Sequence, residues 1–141
     1  MTVVVGVGQP LAGDDGVGRV VALRLRQEGI AALEAGDGAS LLALLDGASR
    51  AVVIDAAVGA GPPGQVRVLR PGELPAGVHP VSSHGLSVPE ALQLARVLDP
   101  ALEVTVVAVS IAEAPIGAEG LSPPVTAAVE EAAARVRTLI G

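Results

Sequence analysis

The chain has 141 residues, half of them hydrophobic, and a net charge of −6, yet it contains no Phe, Trp, Tyr, Cys, Lys or Asn. Without cysteine there is no disulfide framework, thiolate nucleophile or thiolate metal site, and without lysine neither Schiff-base catalysis nor a GK[ST] phosphate loop. An acidic chain with no aromatic ring to stack on a base also excludes nucleic acid as an expected partner.

Thr2–Val7 is a β-branched run ending in Gly-Val-Gly, which suits a strand buried on both faces. A loop over 9–16 leads to residues 17–28, where Val17, Val20, Val21, Arg24 and Leu25 recur at helical spacing and Gly29 ends the run. A short strand is expected over 30–34, and residues 41–45 belong to a helix closed by Asp46-Gly47. Residues 51–57 form the next buried strand, followed by a Gly/Pro-rich turn over 59–64. Residues 65–69 alternate apolar and polar, as an edge strand with one solvated face does. After a loop over 71–83, Ser87-Val88-Pro89-Glu90 is an S-x-x-E capping box opening a helix to Leu98. Residues 103–109 make a third long buried strand. Ser122-Pro123 opens the last helix, where Glu130 and Glu131 precede Arg135 and Arg137 as the helix dipole and i,i+4 pairing prefer.

Strands alternating with helices predict an α/β fold: a three-layer α/β/α sandwich on a mainly parallel twisted sheet with one antiparallel edge strand. A single domain over 1–141 is expected, since a chain of about this length buries roughly 68–70% of its unfolded surface. Its core must be Val, Leu, Ile and Ala. The apolar runs fall far short of the ~18–20 residues that span a bilayer, and no basic segment precedes the first strand. A soluble, cytoplasmic protein without membrane contact is therefore expected.

Ligands of such sheets bind beyond the carboxyl ends of the strands, and three polar clusters fall there. The first is Gly6-Val7-Gly8-Gln9 with Asp14-Asp15-Gly16-Val17-Gly18; the second is Asp55, after four apolar residues; the third is Ser82-Ser83-His84-Gly85-Leu86. Each has a plain explanation when taken alone. Asp14 and Asp15 read as caps of the first helix, Asp55 as an acceptor for loop amides, and His84 as an ordinary loop histidine. His79, the other histidine, sits in a Pro-flanked connection. Together, Asp15, Asp55 and His84 make an O,O,N set suited to a borderline divalent ion such as Ni²⁺ or Zn²⁺, with positions left open for substrate.

A dinucleotide site is the rival use of the first cluster, with Glu34 placed where a ribose-binding acid would stand. Its third glycine is at 13 instead of 11, and two acids at the helix start oppose a pyrophosphate. A serine hydrolase is weaker still, because no G-x-S-x-G elbow exists.

In this order and on these elements, the clusters resemble the hydrogenase maturation protease family, endopeptidases that trim the C-terminal extension from the large subunit of nickel–iron hydrogenases. The family pattern G-x-G-N…D-[DE]-G-x-G stands here as Gly6-Val7-Gly8-Gln9 and Asp14-Asp15-Gly16-Val17-Gly18. The strand-end aspartate and its P-G turn are Asp55 and Pro63-Gly64, the histidine loop is Ser83-His84-Gly85-Leu86, and the closing G-L-S-P-x-V is Gly120-Leu121-Ser122-Pro123-Pro124-Val125. Gln9 departs from the usual asparagine, and Asp37 stands near an expected threonine in a segment tied to substrate selection.

The resemblance implies nickel recognition by Asp15, Asp55 and His84, with the nickel carried by the precursor and signalling that cleavage is permitted. The partner would be a hydrogenase large-subunit precursor. Asp15 and Asp55 would serve the chemistry, with Asp14 a candidate proton acceptor. The alternatives are a nucleotide-binding module, which NAD or ATP would stabilise thermally, and a nickel-sensing chaperone that binds the precursor without shortening it.

Overall fold

The computed structural model describes residues 1–9, 13–59, 61–74, 86–112 and 120–141. In chain order its elements are β1 (Thr2–Val7), α1 (Val17–Gln27), β2 (Ala32–Ala35), α2 (Gly38–Leu45), β3 (Arg50–Val58), β4 (Val66–Leu69), α3 (Val88–Leu98), β5 (Glu103–Ile111) and α4 (Pro123–Ile140), with single 3-10 turns at Gly13–Gly16 and Pro71–Glu73. The sheet runs β2-β1-β3-β5-β4. All neighbours are parallel except β4, which lies antiparallel on the outer edge of β5. The alternating segment over 65–69 is thus the antiparallel edge that its pattern predicted.

Two aliphatic cores fill the two faces of the sheet. One joins Val4, Val52, Ile54, Val107 and Val109 to the buried sides of α1 and α4; the other joins Val5, Val53, Ala57 and Val106 to α2 and α3. Strand residues enter the two cores alternately, which is the period-two geometry of a sheet covered on both sides. Small side chains let α1 and α4 approach closely. Val17, Val21, Ala22 and Leu25 of α1 share a core with Val125, Ala128, Ala132 and Val136 of α4, all buried.

Val20, one of the residues at helical spacing in α1, is 38% exposed, because α4 packs on the Val17, Val21 and Leu25 side. The charges of α4 also divide. Glu131 pairs with Arg135 along the helix, whereas Glu130 bonds Arg24 of α1 and Arg137 holds Glu28, 2.6 Å from each carboxylate oxygen. The one i,i+4 pair that the sequence offers is thus formed, and the two charges without such a partner are taken up by α1 and its end. Among the described residues, no helix is long and apolar enough to cross a membrane.

Candidate active site

The chain leaves β1 toward β2 on one side and is joined on the other by β3, so the strand order reverses between β1 and β3. That reversal opens a crevice at the carboxyl ends of the two strands. Glycines close the crevice floor. A Cβ on Gly18, in the first turn of α1, would stand well inside 3.0 Å of the Val7 and Ile54 carbonyl oxygens, and one on Gly6 would strike the Gly18 carbonyl. Gly8 is held similarly, 2.9 Å from the Asp15 oxygen and the Gly16 Cα for an added Cβ. The glycines of the first cluster therefore let the turn bearing Asp14 and Asp15 rest directly on the ends of β1 and β3.

Asp55 lies one residue beyond the last β1–β3 pair, Gly6 with Ile54, and is registered with Ala108 of β5. Only 6% of it is exposed. Among the described residues its carboxyl has one hydrogen bond, from the Ala56 N–H to Oδ1 at 2.9 Å. Burial pushes its carboxyl well above the usual range, the charge of Asp15 pushes the same way, and the Ala56 N–H opposes them. Asp15 is half-buried. By strand alternation Asp55 shares its face with Val53 and Ala57, the face covered by α2 and α3.

Asp14 has a different set of partners. Its Oδ1 accepts the Ser122 N–H and its Oδ2 the Ser122 hydroxyl, each at 2.7 Å, which ties the turn after β1 to the start of α4. The plain expectation that Asp14 caps α1 is replaced, because the cap position before Val17 is Gly16 and no side chain caps the helix. Asp14, the candidate proton acceptor, thus has both oxygens occupied by one serine. In the sequence Ser122 opens a helix and belongs to the closing G-L-S-P-x-V, but nothing local signals a partner 108 positions away.

The third cluster lies partly outside the described residues: His84, like His79, Ser82 and Ser83, is not among them. Where the chain resumes, Leu86 packs on the core of the α2/α3 face, and a Cβ on Gly38 would strike the Leu86 and Ser87 carbonyls. The segment entering α3 is therefore pressed against the start of α2. Among the described residues no three His, Asp or Glu side chains gather closely enough to hold a metal ion.

The family's other signature segments meet the same edge. The Gln9 side-chain amide donates to the Gly36 carbonyl, linking the β1 and β2 loops. Asp37 caps α2 through the Ser40 N–H at 2.7 Å, and that bond draws its pKa down. Gly64, with φ +89°, leaves no room for a Cβ against the Pro124 carbonyl, so the P-G turn packs on the start of α4. Glu34, the rival ribose-binding acid, is held by Arg19 at 2.6 Å and by Arg26.

A family model described as hydrogenase maturation protease matches residues 20–138. The chain belongs to the hydrogenase maturation protease family. It is accordingly a hydrolase, an endopeptidase of hydrogenase maturation. Among solved structures, the [NiFe] hydrogenase maturation protease HybD from Thermococcus kodakarensis is 26% identical over 98% of this chain and 97% of its own, with a TM-score of 0.74. The hydrogenase maturating endopeptidase HybD from E. coli is 25% identical over 99% and 91%, with a TM-score of 0.77. An endopeptidase from Escherichia coli is 27% identical over 96% and 90%, with a TM-score of 0.78. No individually curated protein matches the sequence significantly.

Proposed function

We propose that this endopeptidase removes the C-terminal extension of a nickel–iron hydrogenase large-subunit precursor that already carries its nickel, and that Asp15, Asp55 and His84 receive that metal. The observation that carries the reading is Asp55: a buried carboxylate beside a second acid, at the crevice where the strand order reverses. Two acids that disfavour each other's charge in a desolvated site form a receptor for a cation. Nickel is borderline in softness and accepts carboxylate and imidazole together. The approach of Leu86 to the α2/α3 face, which Asp55 shares, supports a contribution from the histidine two residues earlier.

Docking of the precursor's nickel would fix the scissile peptide by proximity and draw the proton from Asp55. The Asp15–Asp55 pair, instead of Asp14, then stands available to exchange a proton with the attacking water and the leaving amine. Asp14 is assigned the role of a brace, since Ser122 takes both its oxygens.

The test is to incubate the purified protein with nickel-loaded and nickel-free large-subunit precursor encoded by the same genome and to measure the mass of the product. Shortening of the loaded form alone is expected, with loss of cleavage in folded Asp55→Ala and His84→Ala. Cleavage indifferent to nickel, or surviving both substitutions, refutes the assignment. Binding without a change in mass favours the chaperone.

A further inference from the structure

A groove of about 380 Å³ runs from the Gly13–Gly16 turn along the outer side of α1 toward β2. Its walls include Arg19, Val20, Leu23, Arg26, Glu34 and Leu121. The volume falls in the range of ligand-holding clefts. Two features separate it from ordinary surface. Val20 and Leu23 are 38% and 49% exposed, so an apolar strip lies uncovered on an otherwise charged helix face. Two guanidinium groups also stand around one carboxylate, in a chain whose overall charge is −6.

The donors of those guanidiniums are unequally used. Arg26 spends one terminal nitrogen on Glu34 and the other on the Ala32 carbonyl at 3.1 Å, where it covers the outer edge of β2. Arg19 contacts Glu34 through Nε alone, at 2.6 Å, and its two terminal nitrogens have no partner among the described residues. A planar fork with unused donors over an apolar strip matches a carboxylate flanked by an aliphatic side chain.

We propose that this groove binds the precursor's polypeptide beside the scissile bond, with Arg19 taking an acidic side chain of that segment and Val20, Leu23 and Leu121 an adjoining apolar one. The inference rests on the proposed function, because it supplies that reaction's substrate with a second hold outside the metal-receiving acids. Gly13 and Gly16, the two ends of the turn that carries Asp14 and Asp15, line the groove, so a chain lying in it passes beside that turn. None of its residues is placed in the chemistry. Their substitution should therefore raise KM and leave kcat unchanged.

The test uses the full chain and the same nickel-loaded precursor. Leu23→Asp alters an exposed position and leaves the core intact, and Arg19→Glu reverses the charge of the fork. Each is expected to raise KM by about tenfold or more with kcat retained. A precursor whose acidic residues next to the cleavage point are replaced by amides should show the same rise with the wild-type enzyme and no further rise with Arg19→Glu. An unchanged KM in both variants, or indifference to the amide replacements, overturns the groove while leaving the proposed function in place. Failure of the wild-type chain to cleave at all overturns that function and the groove with it.

Discussion

Asp14 separates bracing from chemistry, and the two roles have different signatures. Its carboxylate accepts two hydrogen bonds of 2.7 Å from Ser122, at a half-buried position facing the N-terminus of α4. A hydrogen bond to a charged group contributes about 1.5–3 kcal/mol, and partial exposure places these two at the low end. Asp14→Ala should therefore cost ~2–3 kcal/mol, which for a domain of this size lowers Tm by roughly 6–12 °C. Ser122→Ala removes only the hydroxyl bond, so a double-mutant cycle should return a coupling of ~1–2 kcal/mol. Asp14→Asn keeps a carbonyl oxygen for the Ser122 N–H and an amide that can donate to the hydroxyl. It should retain most of the stability and also the turnover, because loss of a general acid or base would cost ~10²–10⁴-fold in rate. Thermal unfolding of the four proteins and single-turnover cleavage by Asp14→Asn give both readouts. An Asn variant with wild-type Tm but a rate lower by ~10²-fold or more would refute the bracing argument and return Asp14 to the chemistry. So would a coupling near zero.

Gly18→Ala should be among the most damaging conservative changes, since its Cβ meets backbone of both β1 and β3 and cannot be relieved by rotating a side chain; a loss of ~3 kcal/mol and roughly 10 °C in Tm is expected by calorimetry. Asp55→Asn should abolish cleavage and yet stabilise the fold at neutral pH. Burial and Asp15 raise the folded-state pKa of Asp55 above its usual value of 3.8. Below that value both folded and unfolded chains hold the proton and nothing is lost. As pH rises above it the unfolded chain ionises first, so wild-type stability falls until the folded pKa is passed. The Tm advantage of the Asn variant should accordingly be small near pH 4 and larger at pH 7. An advantage independent of pH, or a variant less stable than wild type at neutrality, contradicts the stated cause.

What the sequence made legible follows from how many forces acted on each segment. The central strands read clearly because burial on both faces leaves a continuous aliphatic run: the expected 51–57 and 103–109 stand as Arg50–Val58 and Glu103–Ile111. The Ser87 box appears as predicted, with the reciprocal Ser87–Glu90 bonds formed. A weaker signal drifted. The strand expected over 30–34 lies at Ala32–Ala35, a short edge whose outer carbonyl at Ala32 is covered by Arg26. Residues 41–45 lie in a helix closed at Asp46, as expected; its start at Gly38 is set by Asp37, which caps it. At the site, a lone acid ending an apolar strand was a sound signal, since burial without an obvious partner demands a use. The Asp14–Ser122 clasp and the Arg19–Glu34–Arg26 cluster carried no such signal. Both are tertiary pairings whose members look like ordinary surface residues one at a time.

The arrangement also suggests why a cation would serve as the permission for cleavage. The glycine contacts at 6, 8 and 18 hold the acid-bearing turn on the strand ends. The cost of a charge on Asp55 is built into the fold before any substrate arrives, through its burial and the neighbouring charge of Asp15. On the proposed reading, a precursor without nickel would leave the proton on Asp55 and bring no cation to draw it off, so binding would gain nothing at the acids. A loaded precursor brings the compensating charge to the point of greatest deficit. Discrimination then arises from the unfavourable state as much as from the favourable one, and it needs no moving part. The same reasoning separates the two holds on the client. The groove on α1 would recognise the polypeptide whether or not nickel is present, whereas the acids would respond only to the metal. Nickel-free precursor should therefore still compete for the enzyme, weakly and through Arg19, without being cut.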